Sequence, residues 1–235
     1  MHKKAKNFIF TTDDFGISPK ANANMLKLLS LGVVDRVAIM IHGSIGDEET
    51  RQLLSSGAKL DIHLDRRGGI DPDRKLADGA FRRIVVFLWN YCFGNMRPRV
   101  IEARWRDQIE LFRAKFGKYP DGIDSHEHVH FFPPYFAVAV RIAKRYGVTF
   151  IRFGRQSYVC GAPVSFILDI LKRCDGWMFR KSGIESTDLF VSFDWVADPD
   201  AFLRDHAGGG TVEIVFHPER DEEMTFMASF SAADR

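Results

Sequence analysis

The chain has 235 residues, 46% of them hydrophobic, and a formal net charge of +2 from 33 basic and 31 acidic side chains. That length suits one α/β domain with a real core, and so even a charge balance gives no ground for a nucleic-acid or membrane partner. Three cysteines (Cys92, Cys160, Cys174) lack zinc-ribbon spacing and fit a reducing, cytoplasmic setting, and the apolar run after Lys3, Lys4 and Lys6 is too short for a secretory leader.

In chain order, β-like runs are predicted at Asn7–Thr12, Val33–Ile41, Lys59–Leu64, Gly122–Ser125, Thr149–Phe153, Leu189–Phe193 and Thr211–Phe216. A helix starts at Ser18-Pro19, with Ser as N-cap and Pro at the first helical position, and Gly32 stops it after Leu31. Pro98–Phe116 is amphipathic, with Ile101, Trp105, Ile109, Leu111 and Phe112 on its apolar side and Gly117 at its end. Pro134–Tyr146 repeats the pattern before Gly147. Strand–helix alternation implies a parallel sheet covered by helices, and about seven strands imply a (β/α) TIM-like barrel, here one domain over 1–235. Asp65–Gly94 is the one long irregular stretch, expected to be a lid. Its apolar Ile84–Phe93 is about half the length needed to span a bilayer, and its aromatics Phe87, Trp89, Tyr91 and Phe93 suit core packing or stacking on sugar rings.

Barrel enzymes gather their catalytic groups at the C-terminal ends of the strands. Polar groups stand at those ends here: Asp13 and Asp14 after the first run, His63 in the third, His126 after the fourth, Arg152 at the fifth and His217 at the last. One carboxylate and two imidazoles make a common catalytic metal shell with positions left open, so Asp14, His63 and His126 are the expected ligands. Asp13, beside them but unligated, is the expected general base, and His217 the group that protonates a leaving amine. The expected reaction is metal-assisted hydrolysis of an amide or ester. If the triple-His segment is extended, His126, His128 and His130 share a face, and His128 and His130 are read as substrate contacts or as loop residues. Arg152 and Arg155 are read as substrate-binding, as groups that tune Asp13, or as arginines that cap helices and pair with acids. His42 ends a strand and is a further candidate pocket residue.

Together these segments carry a resemblance. Thr12-Asp13-Asp14-Phe15-Gly16-Ile17-Ser18 with Asn22, Ile62-His63-Leu64, Asp124-Ser125-His126-Glu127-His128-Val129-His130 and His217-Pro218 look like the YdjC-like carbohydrate deacetylases, the family of chitooligosaccharide deacetylase. The resemblance implies a distorted (β/α) barrel and a hydrolase of linear amide C–N bonds. Its substrate would be an N-acetylated sugar, a chitooligosaccharide or another acetamido-carbohydrate. It also implies one divalent ion (zinc or magnesium, with manganese tolerated), held by Asp14, His63 and His126, and Asp13 as base. The chain departs from the family at Lys20 and Asn24, where glycines are usual, and at Glu219 after His217-Pro218. Met224–Arg235 reads as too short and too weakly patterned for the family's further helix, which would leave the last segment of the barrel unclosed. The remaining alternatives are another metal-dependent amidohydrolase or phosphoesterase on the same barrel, a catalytically degenerate sugar-binding relative, and a truncated inactive one. Sequence leaves the oligomeric state open, a homodimer included.

Overall fold

A computed structural model describes residues 4–66, 94, 96–158, 160 and 163–230. The expected lid, with Phe87, Trp89, Tyr91 and Phe93, lies almost entirely outside the described residues.

Among the described residues there are seven strands: β1 (Phe8–Phe15), β2 (Arg36–Ile39), β3 (Lys59–Leu64), β4 (Gly122–Ser125), β5 (Phe150–Ile151), β6 (Leu189–Ser192) and β7 (Val212–Phe216). All pair in parallel, in the order β5-β4-β3-β2-β1-β7-β6. Nearly every strand residue is buried, as expected when helices cover one side of a parallel sheet and the sheet curls over the other. The two outer strands also approach each other: Phe150 bridges Glu185, and the N–H groups of Arg155 and Gln156 donate to the carbonyls of Thr187 and Asp188. The sheet is therefore curled into a half-barrel, a distorted form of the (β/α) barrel expected. The fifth strand is two residues long where five were predicted, because the chain after Ile151 turns away to follow Glu185–Asp188.

Around the sheet run α1 (Pro19–Ser30), α2 (Asp47–Ser55), α3 (Pro98–Phe116), α4 (Pro133–Tyr146), α5 (Pro163–Ser182), α6 (Pro199–His206) and α7 (Asp221–Ala228). Ser18 Oγ accepts from the Ala21 N–H at 3.1 Å, the N-cap bond its sequence predicts. Gly117 and Gly147 take left-handed C-cap geometry behind α3 and α4. On α3, Ile101, Trp105, Ile109 and Phe112 are fully buried, but Leu111 is 46% exposed. It lies to the side of the stripe those four residues define, so its place on the apolar face is corrected.

The C-terminal segment packs more firmly than its sequence pattern suggests. Asp221–Ala228 is helical, and Met227 and Phe230 are buried. The Phe230 ring meets Phe10 edge-on at 5.1 Å, and Phe226 lies 4.8 Å from Phe193. Aromatic contacts supply what the weak helical pattern lacks.

Unusually for a core, the concave side of the sheet is charged. Arg36 on β2 makes a two-pronged pair with Asp61 on β3, both bonds at 2.6 Å. Gly122 on β4 makes room for it: a Cβ there would lie 2.6 Å from both partners. Thr11 of β1 donates to Glu213 of β7 at 3.0 Å. Arg36 and Asp61 pair with each other and Glu213 pairs with Arg152, the condition under which burial of charge is tolerated.

Candidate active site

β1 runs through the acidic pair, and its register with β2 shifts between Thr12 and Phe15. In a regular strand Asp13 and Asp14 would face opposite sides. The irregularity, with Asp14 in the left-handed region at φ 68°, lets both border the same small cavity. Gly16 follows at φ 103°, and a Cβ on Gly43 would stand 2.2 Å from the Gly16 carbonyl oxygen, so the turn closes only with glycines at both places. Asn22 on α1 fastens the turn: its Oδ1 accepts from the Gly16 N–H at 2.6 Å and its Nδ2 donates to the Ser44 carbonyl at 2.9 Å.

The predicted ligands converge. His63 Nε2 lies 3.2 Å and His126 Nδ1 3.1 Å from the same oxygen of Asp14, Oδ1, and ligand atoms of the three residues fall within 4.8 Å of one another. His63 Nδ1 donates to Asp124 Oδ1 at 2.9 Å, which turns Nε2 toward Asp14. A carboxylate behind a ligating imidazole is the usual way to fix such a ring. Asp13, His63 and Asp124 also cluster within the same limit, but all three are buried and both carboxylates are held by the Arg152 guanidinium. A cation there would face that guanidinium and find no open side. The donor set of Asp14, His63 and His126 fits a divalent ion, and with Asp14 and His126 partly exposed it leaves room for water and substrate.

Arg152, 1% exposed, is the hub behind the cluster. It donates to both oxygens of Asp13 at 2.7 and 2.8 Å and to Glu213 at 2.9 Å, and pairs with Asp124. Burial raises the Asp13 pKa, but Arg152, joined by His63 and His217, offsets this and holds it below the ordinary carboxylate value. Burial likewise opposes ionisation of Asp14, yet bonds to His126 and His63 keep its pKa well down. For His63, burial lowers the pKa, while Asp124 and Asp13 override it and hold it well above 6.5. The pocket is therefore a strongly cation-seeking place.

His217 lines a cavity of about 90 Å³ with Asp13, Asp14, Ala21, Met25, Glu219 and Arg220, roughly the share of liquid volume of three waters. It is thus brought to the acidic pair, as predicted.

His126, His128 and His130 do not share a strand face. His126–Phe131 forms a 3-10 turn, with Glu127 and His128 left-handed at φ 56° and 54°. His130 is fully buried: Nε2 donates to the Arg152 carbonyl at 2.8 Å, and Nδ1 bonds the Ser125 hydroxyl at 2.7 Å. Burial pushes its pKa down to about 3. His128 is also neutral, lowered by burial to about 3, and stands edge-on to Phe131, Phe190 and Trp195, with Nδ1 unbonded. Arg155 sits apart from the cluster. It pairs with Asp188 at 3.2 Å and lines a cleft of about 690 Å³ beside Lys172, Arg173 and Arg180 of α5. Sequence reasoning assigned no role to Asp124, Glu213 or Glu223. Glu213 alone had a signal, a single acid inside the apolar run Val212–Phe216.

The chain is similar to known proteins along most of its length. The family model described as YdjC-like protein matches residues 7–235. A carbohydrate deacetylase of Halalkalibacterium halodurans is 27% identical over 224 residues, covering 92% of this chain and 86% of that protein. A chitooligosaccharide deacetylase of Salmonella paratyphi B is 26% identical over 215 residues, covering 89% and 80%. A human carbohydrate deacetylase is 23% identical over 207 residues, which are 81% of this chain but only 64% of the human protein. Among solved structures, a candidate cellobiose-phosphate cleavage protein of Enterococcus faecalis superposes with a TM-score of 0.60 at 19% identity, over 89% of this chain and 80% of that one. That last likeness speaks for the fold alone.

Proposed function

The chain belongs to the YdjC-like protein family, and from that premise and the site's geometry we propose that it is a metal-dependent hydrolase removing acetyl groups from N-acetylated sugars. The observation that carries the reading is the convergence of Asp14, His63 and His126, from three separate strand ends, with Asp13 beside them and bound to Arg152. The names of the bacterial relatives, carbohydrate deacetylase and chitooligosaccharide deacetylase, favour an acetamido-sugar, a chitooligosaccharide among the choices.

A divalent ion held by Asp14, His63 and His126 would polarise the acyl oxygen and make a nearby water more acidic. One carboxylate with two imidazoles suits zinc, with magnesium or manganese as the other choices. Asp13, kept ionised by Arg152, takes a proton from the attacking water as the water oxygen bonds to the acyl carbon. His217, on the other side of the small cavity, gives a proton to the amide nitrogen as the C–N bond breaks. Acetate and a free amine leave, and solvent returns both side chains to their starting protonation. Neutral His128, framed by Phe190 and Trp195, offers hydrogen bonds to sugar hydroxyls without adding charge. Arg152 acts from behind, by holding Asp13.

The test is acetate release from a panel of N-acetylated mono- and oligosaccharides, with and without chelator. Chelator-sensitive release from at least one sugar is expected. No release from any of them, or release indifferent to metal removal, overturns the reading.

A further inference from the structure

The His217 ring has one edge on the cavity shared with Asp13 and Asp14, and its other edge is buried. Nδ1, on the buried edge, has no hydrogen-bond partner among the described residues. The carboxylate facing it is Glu223, whose Oε2 stands 3.6 Å away, longer than a hydrogen bond. The same Oε2 accepts the His217 backbone N–H at 2.6 Å, so it is anchored to the residue whose ring it faces. Glu223 is 3% exposed, and its other oxygen accepts from Arg220 at 2.7 Å, while Arg220 reaches Asp194 at 3.3 Å. A buried carboxylate held on two sides, aimed at an unsatisfied imidazole nitrogen, is costly to keep unless the pair has a use. Catalytic hydrogen bonds are often long before substrate binds.

We propose that Glu223 is a positioning residue for His217. It holds the Nδ1–H edge inward, which leaves Nε2 on the opposite edge to face the leaving nitrogen. The inference rests on the reading of His217 as proton donor given above. It also gives α7 a purpose, since Arg220-Asp221-Glu222-Glu223 starts that helix and turns the carboxylate back onto the end of β7.

The test compares two leaving groups. One substrate is the N-acetylated sugar that gives most acetate in the panel; its amine needs a proton to depart. The other is 4-nitrophenyl acetate, whose phenolate departs without one. On the sugar, His217→Ala and Glu223→Ala should each lower kcat by about 10²-fold, with KM and bound metal unchanged. The double variant should be no slower than His217→Ala. On the ester, all three should stay within a few-fold of the parent protein. Glu223→Gln keeps an acceptor for the His217 N–H, so it should retain the Tm and still lose sugar turnover by about 10-fold. If His217→Ala slows the sugar reaction and Glu223→Gln does not, the inference fails while the reading of the site stands. Equal losses on both substrates reduce Glu223 to a structural role and overturn the inference as well. If His217→Ala itself leaves sugar turnover intact, the proton-donor reading fails and takes the inference with it.

Discussion

Asp13 and Asp14 are neighbours in sequence, yet they differ in what each touches. Asp13 is locked to a guanidinium at 2.7 and 2.8 Å, whereas Asp14 meets two imidazoles at 3.1 and 3.2 Å. Arg152 should therefore matter as a counter-charge. Arg152→Ala would strand Asp13, Asp124 and Glu213 without their shared partner, and loss of one side of a buried ion pair costs about 3–5 kcal/mol. A fall in Tm of about 6–20 °C is expected by thermal unfolding of a chain this size; Arg155→Ala, an exposed pair with Asp188, should change Tm little. A Tm for Arg152→Ala equal to that of Arg155→Ala would refute the hub. Asp124→Ala should leave His63 free to turn and weaken metal binding by about 10- to 100-fold, measurable by competition with a chromogenic chelator; unchanged affinity would show that Asp124 does not set the ring. The convergence of Asp14, His63 and His126 was legible because acids and histidines at the ends of apolar runs have no packing reason to be there. Asp124 was harder to assign, since its partnership with His63 depends on β3 and β4 lying in register, His63 against Asp124.

At the scale of elements, the triple-His segment shows where periodicity misleads. Alternation of His126, His128 and His130 looks like one strand face, but two consecutive left-handed residues, neither of them glycine, bend it into a 3-10 turn. Such strain persists only where surrounding bonds fix it, and the Ser125–His130 and His130–Arg152 bonds do so. The turn splits the histidines into a ring beside Asp14, a half-buried neutral ring and a fully buried one. His130 has a folded-state pKa of about 3 against 6.5 for the free side chain. Between those values the unfolded chain binds the proton and the folded chain does not. The stability this residue contributes is therefore complete above about pH 6.5 and is lost progressively as pH falls toward 3. Tm measured from pH 7 to pH 4 should fall, less steeply in His130→Gln; identical slopes would show that His130 carries none of the loss. The glycine-stopped helices α1, α3 and α4 were legible from local rules alone. α5 and the pairing of Glu185–Asp188 with the chain after β5 were not, because they depend on contacts distant in sequence.

For the whole molecule, the question is how seven strands close around a charged interior. One answer is the approach of β5 to the segment before β6, and another is the aromatic group of Phe10, Phe193, Phe216, Phe226 and Phe230. Phe230→Ala should cost about 3–5 kcal/mol, although the residue lies in a segment whose pattern promised little; a Tm within one degree of the parent would mean that the segment is not part of the closure. Barrel type and strand count were readable from the alternation of elements. The interior was not, because buried Arg36, Asp61, Arg152 and Glu213 look like surface residues until their partners are known. This architecture brings Asp14, His63 and His126 together, with Asp13 beside them held by Arg152, and in the proposed mechanism Asp13 stays off the metal. The most direct test is metal content measured beside acetate release in Asp13→Asn. The account predicts about one divalent ion per chain, as in the parent protein, and turnover lower by about 10²- to 10⁴-fold. An active protein that holds no metal, or Asp13→Asn releasing acetate at the parent rate, would contradict it.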